Sequence, residues 1–249
     1  MVLAQFQLAH ELRAWRSAGR AAQLWWRDDD ARQGTPALDR LLALSDRHGA
    51  PLALAAIPGP GVREIARAVF GRPQVVVIQH GVDHVNRRDG SLAGEFPCAA
   101  GAAEITARLN EAWATFEDAP CTRKVFAPPW NHVHRDLEFA LGIAGYAAWS
   151  AWGEIAPAQS PRRIDAHLDL LRWRGGARFR GRALFASALR DALACRRRLG
   201  RWNAPIGLLT HHLDHDEPAW AYLDELLSWS RDEPALSWTA PDVLFAGVA

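Results

Sequence analysis

Short apolar runs that break off into polar clusters or Gly/Pro recur along this chain. "AQLWW" (22–26) runs into "RDDD", "PLALAAI" (51–57) into "PGPG", and "QVVVI" (74–78) into "QHGVDH". Further on, "KVFA" (124–127) runs into "PPWNH", "HLDLLRW" (167–173) into "RGG", and "IGLL" (206–209) into "THHLDHD". Each run has the length and composition of a strand buried on both faces. "GYAAWSAWG" (145–153) and "ALSWTAPDVL" (235–244) are further strand candidates with weaker punctuation.

Helical spacing fills the intervals. Leu38, Leu41, Leu42 and Leu44 recur at helical intervals after Pro36, a good first-turn residue, and Gly49 supplies a stop. Residues 100–117 (Ile105, Leu109, Trp113, Phe116), 132–145, 182–199 and 218–231 follow the same pattern, the last with Pro218 near its start. Strands alternating with helices predict an α/β fold with a mainly parallel sheet. In such folds ligands bind at the carboxyl ends of the strands, so the polar clusters should share one mouth.

Composition narrows the partners. The 249 residues show no linker or repeat and read as one domain over 1–249, with 49% apolar residues for its core. Twenty-nine Lys+Arg against 28 Asp+Glu argue against nucleic acid or an anionic membrane surface as a partner. Twelve tryptophans are many for this length; most belong in a core, though indole faces also line sugar clefts. The N-terminus "MVLAQFQLAHELRAWRSAGR" reads as an amphipathic helix rather than a signal peptide. No apolar run reaches the ~20 residues that span a bilayer. Cys98, Cys121 and Cys195 form neither a paired metal motif nor a disulfide scaffold, which points to the cytoplasm. Nothing in the composition sets the oligomeric state.

The chemistry lies in the clusters. His80 and His84 are four apart, so one helical turn would put both imidazoles on one side. Asp28, Asp29 and Asp30 could add a carboxylate ligand and a spare one to act as base, in the manner of an open metal site. Three acids ending a buried strand are costly unless a cation or hydrogen bonds compensate them. Plain structural readings compete: a solvated loop for the histidines, and a turn capped by Asp30 or Thr35 for the acids. Within "THHLDHD", His211 at the strand end is better placed to reach a pocket than His212, His215 or Asp216, and a histidine there suits general acid work. In "APPWN" two prolines hold the N–H groups of Trp130 and Asn131, which suits oxyanion binding or a stiff turn with Asn131 as helix cap. His132 and His134 are expected to be exposed by the helix that follows.

Taken in order, "RDDD", "HGVDH", "APPWN" and "LLTHH" resemble the motif series of the polysaccharide deacetylase family, the NodB-homology domain of carbohydrate-esterase type, over roughly residues 20–215. The resemblance implies a distorted (β/α) barrel of about seven strands. It implies one divalent metal ion on Asp30, His80 and His84, zinc first, with cobalt, nickel or iron fitting the same ligands. It assigns Asp29 as general base and His211 as general acid. Trp130 becomes an oxyanion donor, and Pro129, Asn131, Asp169 and Trp173 become substrate-binding residues. Asp28 and Asp29 could instead supply the acid pair. The implied activity is metal-dependent deacetylation at a carbon–nitrogen bond other than a peptide bond, on an N-acetylated, sugar-containing small-molecule or oligosaccharide substrate. Alternatives are a non-sugar amide or ester as substrate, or a binding protein on the same barrel without turnover.

Two positions depart from the family pattern. Ala127 stands where the family's third motif has an arginine that pairs with the base, and Arg27 could substitute for it. Arg172 stands where the fourth motif has an acid that orients the catalytic histidine; Asp169 or Asp214 could take that part. A cytoplasmic member would act on a soluble glycan precursor, a nucleotide- or lipid-linked sugar, or a non-sugar amide.

Overall fold

A computed structural model describes residues 2–88, 92–155 and 160–246. In chain order the elements are α1 (Val2–Ser17), β1 (Ala22–Ala31), α2 (Pro36–His48), β2 (Leu52–Ala56), α3 (Val62–Val69), β3 (Val75–His80), α4 (Ala102–Trp113) and β4 (Thr122–Ala127). There follow α5 (Leu137–Ile143), β5 (Ala148–Trp149), β6 (Arg162–Arg163), β7 (Ala166–Asp169), and a hairpin of β8 (Leu171–Arg172) and β9 (Arg178–Phe179). The chain closes with α6 (Arg182–Arg198), β10 (Ile206–Thr210), α7 (Glu217–Asp232), β11 (Leu236–Trp238) and α8 (Pro241–Ala246).

The main sheet has nine strands in the order β6-β5-β4-β3-β2-β1-β10-β7, with β11 pairing the start of β1. All its pairings are parallel. A single bridge, Trp152 to Ala166, brings the segment after β5 against β7. There the Ala166 N–H bonds the Ala151 carbonyl and the Gly153 N–H bonds the Ala166 carbonyl. The sheet therefore curls into a distorted (β/α) barrel, as expected. Among the described residues it has nine strands where about seven were expected, and three of them, β5, β6 and β11, are only two or three residues long.

Alternation along β1 divides the core. Leu24 and Trp26 face outward into the layer packed under the helices, which also holds Leu38, Leu41, Val62 and Leu223. Trp25 faces inward among Ala53, Ala55, Val76, Ile78 and Ala127, small and branched residues that leave room for an indole inside a narrow barrel. Leu244 and Phe245 of α8 join this inner cluster, with the Phe245 ring edge-on to Trp25.

The local signals act as their chemistry requires. Thr35 Oγ1 accepts from the Leu38 N–H, Pro36 opens α2, and Gly49 ends it at φ 59°. Asp216 caps α7 through the Ala219 N–H. Several boundaries differ from the sequence pattern. Helix α3 was not expected, although Val62, Ile65, Ala66 and Val69 give it a buried face. "HLDLLRW" divides into β7 and β8, "ALSWTAPDVL" into β11 and α8, and α5 begins only at Leu137. Among the described residues no helix is long and apolar enough to cross a membrane.

Candidate active site

The strand ends converge as the pattern implied. Asp29 and Asp30 from β1, His80 and His84 at and after the end of β3, Trp130 and Asn131 after β4, and His211 after β10 line one cleft of about 370 Å³. Asp169 and Trp173 from the hairpin side line it too, as does Trp152 after β5.

The three aspartates point three ways. Arg27 and Asp29 continue the inward face begun by Trp25, and Asp28 continues the outward one. A register shift between Asp28 and Ala31 breaks the alternation, and Asp30 takes a left-handed backbone at φ 70°. That turn brings its carboxylate to the histidines: Asp30 Oδ1 lies 3.2 Å from His80 Nε2 and 2.9 Å from His84 Nε2. One donor atom from each of the three residues lies within 4.8 Å of the others. Burial opposes the charge on Asp30, but hydrogen bonds from both imidazoles win and hold its pKa far below the usual range. Burial likewise opposes charge on His80, yet the carboxylates of Asp29 and Asp30 raise its pKa.

This donor set fits a divalent transition ion. It offers two imidazole Nε2 atoms and a carboxylate, and His80 Nδ1 is 3.1 Å from the Ala127 carbonyl, which leaves Nε2 free to ligate. Sequence spacing alone misstated how the pair forms. Residues 81–88 are irregular, and Gly81 and His84 sit at φ 69° and 58°, so a tight turn rather than a helical turn aligns the rings. Glu95, which the sequence pattern did not single out, holds this turn. Its buried carboxylate accepts from the N–H groups of Val82, Asp83 and His84. A side chain at 81 would strike Glu95 and Pro129, so that position needs glycine for space as well as backbone.

Asp29 is held from behind. The fully buried Arg27 guanidinium places Nε 2.9 Å from Asp29 Oδ1 and donates through Nη2 to Oδ2 at 2.9 Å. Its Nη2 also reaches Asn131 Oδ1 at 2.6 Å, and Nη1 bonds Ser150 Oγ and carbonyl at 2.6 and 2.8 Å. A guanidinium thus sits beside Asp29 even though Ala127 carries none. Asp28 is elsewhere: outside the barrel wall it accepts from Thr210 Oγ1, the His212 N–H and His212 Nδ1. It does not line the cleft, so the Asp28/Asp29 alternative is not supported by the placement of these groups.

The "APPWN" loop differs from expectation in detail. Asn131 caps no helix; its N–H bonds the Pro128 carbonyl, and its side chain serves Arg27. Trp130, at φ 53°, lays its indole against His84 with centroids 4.6 Å apart. Pro129 is buried behind Gly81 and is not on the cleft wall. His134 is buried rather than exposed, and half-buried His132 meets Arg88.

His211 lines the same cleft as Asp29, from the end of the neighbouring strand, and packs edge-on against Trp173 at 4.6 Å. Neither acid put forward to orient it does so directly. Asp169 accepts from the Leu171 N–H and Trp173 Nε1, each at 2.8 Å, and Asp214 meets His211 only through its backbone N–H. His211 Nδ1 is buried without a partner among the described residues. Burial raises the Asp169 pKa, against the pull of His211.

No protein-family model and no curated protein matches the chain. Solved structures do match. One is a deacetylase solved with substrate, at 15% identity, covering 93% of this chain and 94% of the other with a TM-score of 0.55. Another is a peptidoglycan N-acetylglucosamine deacetylase in complex with a benzamide, at 13% identity, 91% and 88% coverage and a TM-score of 0.53. A third is a mutant, with enzymatic activity restored, of a CE4 family pseudoenzyme from Bacillus anthracis, at 16% identity, 90% and 68% coverage and a TM-score of 0.56. The chain has the polysaccharide deacetylase (NodB-type) fold shared by these CE4 structures.

Proposed function

We propose that the chain is a metal-dependent hydrolase that removes the acetyl group from an N-acetylated, sugar-containing substrate. The observation that carries this is one mouth holding two acidic devices side by side. Asp30 closes on two imidazoles, while Asp29 is held by an arginine and left free of them. Asp30, His80 and His84 would hold the ion, zinc first, with cobalt, nickel or iron suiting the same donors. When bound, such an ion polarises a carbonyl and acidifies a water.

The chain's own residues supply the rest. Asp29, steadied by Arg27, takes the proton of the attacking water. The Trp130 N–H donates to the developing oxyanion, and His211 protonates the departing amine. Asn131, Asp169 and Trp173 line the side where the substrate lies. The deacetylase activities named for the matched structures support the reading. The three free cysteines accord with a reducing compartment such as the cytoplasm.

One observation favours a second reading, a binding protein on the same barrel without turnover: the unpartnered Nδ1 of His211. Elemental analysis of wild type beside His84→Ala, with acetate release measured on acetylated glucosamine oligomers, separates the two. One ion per chain, absent in the variant, with chelator-sensitive acetate release, supports the hydrolase. No ion even after zinc or cobalt is added would overturn it.

A further inference from the structure

The hairpin beside the cleft carries a charge pattern that the hydrolytic chemistry leaves unused. Its sequence, "LRWRGGARFR" (171–180), holds four arginines and no acid, in a chain whose 29 basic residues nearly balance 28 acidic ones. Arg172 and Arg178 stand directly opposite each other in the ladder. Like charges so placed repel, and in an unliganded hairpin they cost stability. Some arginines elsewhere on this surface meet carboxylates, as Arg40 with Glu217, Arg123 with Asp242 and Arg182 with Glu225. Arg20, Arg32 and Arg198 have none, but among the described residues only the hairpin gathers four arginines without an ion pair within ten residues. Among the described residues, none of Arg172, Arg174, Arg178 and Arg180 makes an ion pair. Arg172, Arg174 and Arg178 are exposed, and Arg178 only closes its own turn on the Gly175 carbonyl. Arg180 Nε is buried without a partner.

The hairpin is also fixed relative to the chemistry. The Leu170 N–H bonds the Leu209 carbonyl of β10, the Arg180 N–H bonds the Leu170 carbonyl, and the Phe179 N–H bonds Asp216. Trp173, between Arg172 and Arg174, lines the cleft and packs on His211. None of the four arginines lines the cleft itself; they surround the hairpin's Trp173, which does. Guanidinium groups meet phosphate oxygens in bidentate pairs, so a cluster placed there suits a phosphate that extends out of the cleft.

We infer that the Arg172–Arg180 hairpin binds a phosphate or pyrophosphate group, so that the substrate is an acetamido sugar carrying such a group. The anion site stands on the hairpin alone; its assignment to a substrate rests on the deacetylase reading above. Position 172, where the family pattern has an acid, then has a use for its arginine.

The test uses the full, metal-loaded chain. Calorimetric titration with inorganic pyrophosphate at low ionic strength compares wild type with Arg172→Gln/Arg178→Gln and Arg172→Lys/Arg178→Lys. Both positions are exposed, and unchanged circular dichroism checks that the variants fold. We expect binding at least tenfold weaker in the Gln pair, substantially rescued in the Lys pair, and weakened by added salt. Binding within twofold in wild type and the Gln pair, or none in wild type, overturns the site. In parallel, kcat/KM is measured on N-acetylglucosamine and its 1-phosphate, with the uridine diphosphate and prenyl diphosphate esters as arms that separate a nucleotide from a lipid carrier. Phosphate should raise kcat/KM at least tenfold, and the Gln pair should bring that preference toward one. If the neutral sugar is cleaved as fast as every phosphorylated one, the substrate assignment falls and the deacetylase reading stands. If pyrophosphate binds as expected and nothing is cleaved, the anion site stands and the deacetylase reading falls.

Discussion

Two acid–histidine clusters lie at the end of β1, built from aspartates two residues apart, and they are opposites. Asp30 with His80 and His84 opens on the cleft. Asp28 with His212 is sealed on the other side of the barrel wall, both residues almost fully buried. In the sealed cluster each Asp28 oxygen has a donor, and Thr210 Oγ1 passes the network on by accepting from Trp26 Nε1 at 2.8 Å. In the open cluster one carboxylate oxygen is shared between two imidazoles whose Nε2 atoms point at the same space. The same residue types therefore serve two ends. Donors to both Asp28 oxygens make a structural staple between β1 and β10, although His212 Nε2 has no partner among the described residues, while convergent, underused donors are the arrangement the proposed cation would need.

The largest expected effects break this contrast directly. Asp30→Asn should weaken metal binding on the order of 100-fold or more, since it removes a ligand rather than a supporting partner, for which ~10–100-fold is usual. Asp28→Asn should leave metal content unchanged and cost about 3–5 kcal/mol of stability, because it breaks a buried pair and strands His212. Metal content by elemental analysis and urea unfolding read the two apart. Metal loss in Asp28→Asn with retention in Asp30→Asn would exchange the roles given to the clusters.

Arg27→Gln comes next. It leaves Asp29 buried without its counter-charge and releases Asn131 and Ser150. We expect kcat to fall on the order of 100-fold, at the lower end of what a general base contributes, with metal content unchanged. A variant with wild-type kcat would show that Asp29 needs no arginine, and that the absence of one at Ala127 has no functional weight.

Much of this was legible in the sequence, and the misses have physical causes. Apolar runs marked the long strands because a parallel sheet covered on both faces tolerates little else. The polar clusters marked the mouth because parallel strands end on one side. The choice among Asp28, Asp29 and Asp30 was not legible, since a bulge and a left-handed residue undo the period-2 rule at the one place where it was needed. The i, i+4 spacing found the histidine pair for the wrong reason, because a turn held by Glu95 does what a helix was expected to do. Glu95 and Trp152 join the site only through long-range folding and carry no local signal. Helix α3 was missed because two turns after a Pro/Gly-rich segment look like loop, although its four buried positions fit the helical period.

Half-buried His215, which lies near the sealed cluster and is felt by Asp28, should also leave a mark on acid stability. Burial, with His212 and His211 nearby, lowers the His215 pKa to about 4 from an ordinary 6.5. The folded state thus binds this proton less readily than the unfolded chain. The stability contributed is fully present above pH ~6.5 and is lost as pH falls toward ~4. His215→Gln should shrink the stability difference between pH 7 and pH 4 by about 2–3 kcal/mol, at roughly 1.4 kcal/mol for each tenfold change in proton affinity. Equal slopes in the two proteins, measured by urea unfolding across that range, would mean that His215 titrates normally and is wetter than its packing against Trp220 implies.

The smallest and most selective change is Thr210→Val, nearly isosteric and confined to the staple. It removes the hydroxyl that donates to Asp28 and accepts from Trp26, so a buried indole N–H and a buried carboxylate each lose one partner. His212 still holds Asp28 through two donors, which should limit the loss to about 1–3 kcal/mol. Metal content should not move, because none of Asp30, His80 and His84 touches this hydroxyl. If metal affinity fell together with stability, the two clusters would be coupled through the backbone of β1, and the wall between them would be transmitting strain rather than separating roles.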